Sequence, residues 1–405
     1  RNAWFLATSP IFSKLARESD VVVTSYGPEV AHIIGCKMKI LCPSIYWIAD
    51  YRDLWSDNPS FEGISKKLKL KIKKTEQETV GRYADLITTV SDEMCKSLQK
   101  MHNKTAIKVT NGFDIEEKIV KKNCSKKISN TNKTLRIVYT GAIYLKESNP
   151  MMLLDVIVNL VNKKKIPRNS VIVEFYGARL DHIKYLSQQS KYSNLIKIKG
   201  HLPRPKILEI QKKADLLLLL ASSKEISRGV LSGKIFEYMS AGRPIVCIGG
   251  RKNFEISKVL KLTNSGFVID HYEKKKLENI ILNKFYGEGK FKEHKPNINQ
   301  ILKFSRRRIA YNFLHKIREK LLLHKKSSPI GIIKSKKFTN KPPVITHIIT
   351  GLERGGAERF LFNLLDNGLE GPFNNRVISL MSDGYYGPLL RKKKIPLICL
   401  NLKRG

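Results

Sequence analysis

VLSGKIFEYMSAGRPIV, residues 230–246, decides the reading of this chain. A short loop with Gly233 and Lys234 enters a helix carrying Glu237, and Gly242 and Pro244 end it before the apolar strand Ile245 to Ile248. A helix N-terminus collects unpaired backbone N–H groups and the positive end of the helix dipole, which suits a phosphate. A carboxylate one turn further in, on the same face, can accept both hydroxyls of a ribose. Phosphate at the loop and ribose at the acid describe a nucleotide site. The competing reading is an ordinary strand-loop-helix with a solvated glutamate.

Working outward, the same rhythm of buried strand and helix recurs on both sides. Upstream lie the strand-like runs LRIVYTG (135–141), SVIVEFYG (170–177), LIKIKG (195–200) and the wholly apolar DLLLLLAS (215–222); downstream lies FVID (267–270). Before these, DVVVTS (20–25), Ile45 to Ala49, ADLITTVS (84–91) and Ile107 to Thr110 repeat the pattern. Such alternation predicts an α/β fold of two doubly wound Rossmann-like domains, residues 1–116 and 135–300, joined by a connector at 117–134. Ligands of open parallel sheets sit beyond the carboxyl ends of the strands, so an interdomain cleft is the expected site.

Composition narrows the partners. Of 405 residues, 75 are Lys or Arg and 35 Asp or Glu, a formal charge of +40 that favours anionic ligands or surfaces. Six scattered cysteines form no C-x-x-C pair, which argues against a zinc site or disulfide framework and fits reduced thiols in the cytoplasm. No apolar run approaches the roughly 18–20 residues of a membrane-spanning helix. The chain opens on Arg1 inside a structured segment, and further chain is expected before it. No basic groove interleaved with aromatic residues is visible, so nucleic acid is not an expected partner.

Residues 301–324 read as a basic helix with Ala310, Phe313, Leu314, Ile317 and Leu321 on one face. Either that face packs into the core, or the helix lies on an anionic membrane. A linker follows at 325–342, and then the chain starts again. VITHIITG, the glycine loop LERGG with Gly355 and Gly356, and a helix from Ala357 open a partial third Rossmann-like domain at 343–405.

Five landmarks in order resemble the family 4 retaining glycosyltransferases of the GT-B fold. They are YWIADYRDLWSDN (46–58), ITTVSDEM with VTNGFD (87–94, 109–114), VYTGAIYLKESNP (138–150), GKIFEYMSAGRPIV (233–246) and FSRRRIAYNFLHKI (304–317). The resemblance implies transfer of a sugar from a nucleotide diphosphate sugar to a hydroxyl acceptor, with no essential cofactor and no metal. The expected setting is cell-surface polysaccharide or glycolipid synthesis, in the cytoplasm or peripherally at the inner membrane face, on a glycan or lipid-linked acceptor. It assigns Glu237 to the ribose, Gly233 and Lys234 to the diphosphate, Gly141 to close backbone approach, and Lys146 to a positive charge on the phosphates. Arg52 and Asp53 fall on the acceptor side, although a structural ion pair capping a strand is the other reading of those two.

Two departures stand out. Many members carry a glutamate eight positions before the second, where this chain has Gly229, and Glu225 lies too far upstream to replace it. The arginine common after the first glycine turn is Ala142 here. The order of elements also departs, because the acceptor domain lacks its opening half while 343–405 resembles such a half. A second glycosyltransferase in tandem is the expected explanation, with circular permutation as the alternative. Rival functions on the same architecture are a sugar-nucleotide epimerase or phosphorylase, and a catalytically silent basic binding protein.

Overall fold

The computed structural model describes residues 2–27, 29–58, 61, 63–125, 134–143, 149–287, 294–327, 342–368 and 373–402. It divides into two compact units. One combines Arg1–Asn111 with Arg306–Gly405, and the other is Gly112–Ser305.

In the first unit the strands are β1 (Val21–Ser25), β2 (Tyr46–Tyr51), β3 (Leu86–Thr89) and β4 (Ala106–Lys108). The second unit holds β5 (Leu135–Thr140), β6 (Val171–Tyr176), β7 (Ile196–Gly200), β8 (Leu216–Leu220), β9 (Ile245–Ile248) and β10 (Gly266–Ile269). The chain then returns to the first unit for β11 (Val344–Ile349), β12 (Asn374–Ser379) and β13 (Leu397–Cys399). All neighbouring pairs among these strands are parallel. β1, β2, β3, β8 and β9 are buried at every position. That is why they read as unbroken apolar or β-branched runs and do not alternate: helices cover both faces of a parallel sheet.

The second unit runs β10-β9-β8-β5-β6-β7. Numbered within the unit this is 6-5-4-1-2-3, the doubly wound order, and it reverses between β5 and β8. The expected connector at 117–134 is a helix over Glu117–Ser125, with Val120 and Cys124 buried. The Phe113 N–H donates to the carbonyl of Phe304 at 3.0 Å, so the segments that begin and end this unit lie side by side.

The first unit departs from expectation. Its sheet runs β13-β12-β11-β1-β2-β3-β4, so residues 344–399 extend the sheet of residues 21–108 and found no third one among the described residues. Counted from Val344 the order becomes 3-2-1-4-5-6-7, a doubly wound sheet reversing between β11 and β1. Strands late in the chain thus take the opening positions of this doubly wound sheet. The seam is bonded throughout: Val21 pairs with Ile345 and Thr24 with Ile348. The Asp20 N–H donates to Val344 O at 3.0 Å, and the Arg376 guanidinium donates to Leu15 O and Ser19 Oγ. Helix Arg306–Ser327 packs Ile309, Phe313, Leu314, Ile317 and Leu321 with Ile345, Phe360 and Leu364. Its apolar face is core, which decides between the two readings of that face.

Candidate functional site

The second unit offers the site at its point of reversal. β5 ends in Thr140-Gly141-Ala142, and the loop after β8 leads into helix Gly233–Ala241. Ser232 caps that helix, its hydroxyl accepting from the Lys234 N–H at 3.4 Å. A side chain at Gly233 would meet nothing within 4 Å, so this helix start is open. Ile235, Phe236 and Tyr238 are buried and hold the opposite face. Tyr238 also fixes β5: the Thr140 N–H donates to its hydroxyl at 2.9 Å, while Gln211 Nε2 donates to Thr140 Oγ1 at 3.0 Å.

Gly141 is required by geometry. Its φ is +119°, and a Cβ there would collide with Lys234 Cε. Beside it Gly177, at φ +140°, has its Cα against the Gly141 carbonyl, where a Cβ would come within 2.5 Å. The two turns can touch only because Gly177 carries no side chain.

Lys234 reaches from the helix start to this turn. Its Nζ donates to the Tyr139 hydroxyl at 2.7 Å and to Ala142 O at 3.4 Å, and sits 4.6 Å from the centre of the Tyr139 ring. The Tyr139 hydroxyl in turn donates to Ala142 O at 2.7 Å. Among the described residues no carboxylate pairs with this ammonium, and burial lowers its pKa to about 8. A desolvated cation held by neutral acceptors beside an open helix N-terminus is built to receive negative charge.

Glu237 lies one turn further in and is half-buried, unlike the fully solvated acid of the competing reading. Its Oε1 accepts from Arg204 Nε at 3.1 Å and from Arg204 Nη2 at 3.0 Å. Arg204 Nη2 also contacts Asp114 Oδ2 at 3.4 Å. Sequence reasoning missed Arg204, Asp114, Tyr139 and Tyr238. Nothing local links Arg204 to an acid 33 positions away.

In the first unit, Arg52 and Asp53 part company. Arg52 is buried, with Nη2 3.2 Å from Asp50 Oδ1 and donating to Val109 O at 2.6 Å. Its guanidinium lies 3.9 Å from the centre of the Phe360 ring. The structural pairing of the two readings is therefore present, with Asp50 as the partner in place of Asp53. Asp50 is fixed further by Thr88 Oγ1 at 2.7 Å. Asp53 is exposed. The rest of this stretch is scaffold: Trp47 Nε1 donates to Thr24 Oγ1 at 2.9 Å, and buried Glu76 accepts from the Tyr51 hydroxyl and the Ser56 N–H. Gly355 and Gly356 lie in the loop after β11. A side chain at Gly355 would strike the Glu358 carboxylate, whereas Gly356 is open. Lys146 lies outside the described residues. No group of three His, Cys, Asp or Glu side chains among the described residues is placed to hold a metal ion.

The two doubly wound parallel sheets define the GT-B class of α/β fold. Residues 121–293 match the family model described as glycosyl transferases group 1, and Gly141, Lys234, Glu237 and Arg204 all fall inside that segment. Solved structures agree on the fold. The lipopolysaccharide outer core galactosyltransferase WaaB, in its apo form, is similar at TM-score 0.54 and 16% identity, over 77% of this chain and 79% of that one. The pneumococcal O-GlcNAc transferase GtfA, in complex with UDP and GlcNAc, is similar at TM-score 0.51 and 11% identity, over 77% and 60%. A UDP-forming α,α-trehalose-phosphate synthase from Burkholderia xenovorans, in complex with glucose-6-phosphate, is similar at 0.52 and 10%, over 78% and 79%. No curated protein matches this chain.

Proposed function

We propose that the protein is a retaining glycosyltransferase that moves a sugar from a nucleotide diphosphate sugar to a hydroxyl acceptor. The observation that carries this is the Lys234 ammonium, with no carboxylate partner among the described residues, between the Gly141 turn and the open start of helix Gly233–Ala241. A diphosphate supplies the missing counter-charge there, and its departure from the sugar is stabilised by the ammonium and the helix-terminal N–H groups together. Glu237 then accepts the ribose hydroxyls. Similar structures contain UDP or are named as UDP-forming, which supports a UDP-sugar as donor. In this reading Lys146 and Asp53 keep the phosphate-side and acceptor-side roles that the resemblance gives them, Gly355 and Gly356 form the glycine loop after β11, and Arg52 is a scaffold residue.

The acceptor is proposed to be a glycan or lipid-linked hydroxyl at an anionic membrane face. Helix Lys66–Glu76 supports this, because it leaves Leu68 (47%) and Leu70 (67%) exposed among six lysines. No described helix is long and apolar enough to cross a membrane, so attachment through this helix is peripheral. Isothermal titration with UDP, GDP, ADP and CDP tests the donor site. Release of free nucleoside diphosphate only when an acceptor is added separates transfer from epimerisation. A protein that binds none of the four nucleotides sinks the proposal.

A further inference from the structure

We infer that Arg204, itself held by Asp114, is a positioning residue that sets the Glu237 carboxylate for the donor ribose. This rests on the proposed nucleotide-sugar site, and adds to it two residues that neither the motif nor the family resemblance names.

The argument starts from flexibility. A glutamate on a half-exposed helix face has three rotatable bonds, and its carboxylate must be in one place for a diol to use it. Arg204 removes that freedom. Its Nε and Nη2 converge on the single oxygen Oε1 at 3.1 and 3.0 Å, so the carboxylate is gripped by the edge of a planar fork. A lysine, presenting a point charge on a flexible stem, cannot reproduce that grip.

Arg204 is in turn held in place. It opens helix Arg204–Lys213 between Pro203 and Pro205, two residues with fixed φ, so its backbone has little latitude. Its Nη2 also contacts Asp114 Oδ2 at 3.4 Å. Asp114 follows Phe113, which is 1% exposed and hydrogen-bonded to Phe304 O. The order of support is therefore Phe113 to Asp114 to Arg204 to Glu237, ending on the acid that meets the ligand. Support of this kind separates a carboxylate that is merely present from one held in a productive geometry.

The test compares UDP with 2′-deoxy-UDP by isothermal titration, because only the first offers Glu237 a full diol. The native protein is expected to prefer UDP by about tenfold, the worth of one charge-assisted hydrogen bond. Arg204→Met should weaken UDP more than 2′-deoxy-UDP, which keeps only its 3′-hydroxyl for Glu237, bringing the preference to about twofold or less. Arg204→Lys should recover little of it, and Asp114→Asn should fall between. A preference unchanged in Arg204→Met, with its circular dichroism and melting temperature intact, overturns the inference while leaving the site itself standing. If Arg204→Met does not fold, Asp114→Asn carries the same test, and an unchanged preference there overturns it equally. The comparison is made with whichever nucleoside diphosphate binds, and failure of the native protein to bind UDP, GDP, ADP or CDP overturns the site and this inference together.

Discussion

The Lys234 ammonium lies 2.7 Å from the Tyr139 hydroxyl and 4.6 Å from the centre of the same ring. A neutral phenol and its π-face thus hold a cation that carboxylates usually hold. Such an arrangement keeps the charge in place without neutralising it.

Lys234→Met should weaken UDP by at least about tenfold while uridine affinity barely changes, because one desolvated charge–phosphate contact is lost. Equal losses for both ligands in titration calorimetry would make the lysine structural.

The same lysine gives a pH signature. Its folded pKa, about 8, lies below the unfolded value, so between the two the unfolded chain binds more protons. Its penalty on the fold is therefore complete below pH 8 and relieved as pH rises above it. The ligand-free Lys234→Met variant should be more stable than the native protein at pH 7, by roughly 1–3 kcal/mol after allowing for partial solvent screening. That advantage should shrink between pH 8 and pH 10 in denaturant titrations. An advantage that does not vary with pH would contradict the lowered pKa.

Glu237→Ala should cost at least about tenfold in affinity for UDP and for uridine alike, since the ribose contact is common to both. Native-like melting with unchanged affinity for both would remove the acid from the site.

Gly141→Ala is expected to behave as a second Lys234 variant. The added methyl strains a φ of +119° and drives Lys234 Cε aside. Stability should drop by about 1–3 kcal/mol, and diphosphate affinity should fall without loss of nucleoside affinity. Crystallography of the variant with Lys234 unmoved would refute this.

Arg52→Met should lower stability by about 3–5 kcal/mol, because it leaves Asp50 buried without its cation. Turnover per folded molecule should hardly change. A variant of native stability that has lost transfer would return Arg52 to the acceptor side of the reaction.

The strand-loop-helix of 230–246 and the alternating α/β rhythm were legible because both are local: caps, glycines and buried runs lie within one turn or strand of one another. Pairings across the sheet were less so. Arg52 was matched to its neighbour Asp53, yet successive residues of a strand point to opposite faces, and Asp50, two positions back, shares the face of Arg52. That period was available in YWIADYRD. The Arg204–Glu237 pair had no such period, since its members sit on separate helices brought together by the sheet. The place of residues 344–399 was hidden for a related reason. A strand records its burial in its residues but not its neighbour, so a glycine loop following a new strand reads equally well as the start of another domain.

The seam between β1 and β11 has a consequence for how the sheet closes. Asp20 waits for Val344, a partner 324 residues away, before the central seam of its sheet can close. The second unit is one uninterrupted stretch, Gly112–Ser305, and has every strand of its sheet as soon as β10 is made. Within these residues the second unit therefore needs only one continuous stretch to form its sheet, whereas the first joins strands from both sides of it. Whenever that seam opens, β1 exposes an apolar edge at Val21 to Val23, which is a template for pairing with the wrong chain.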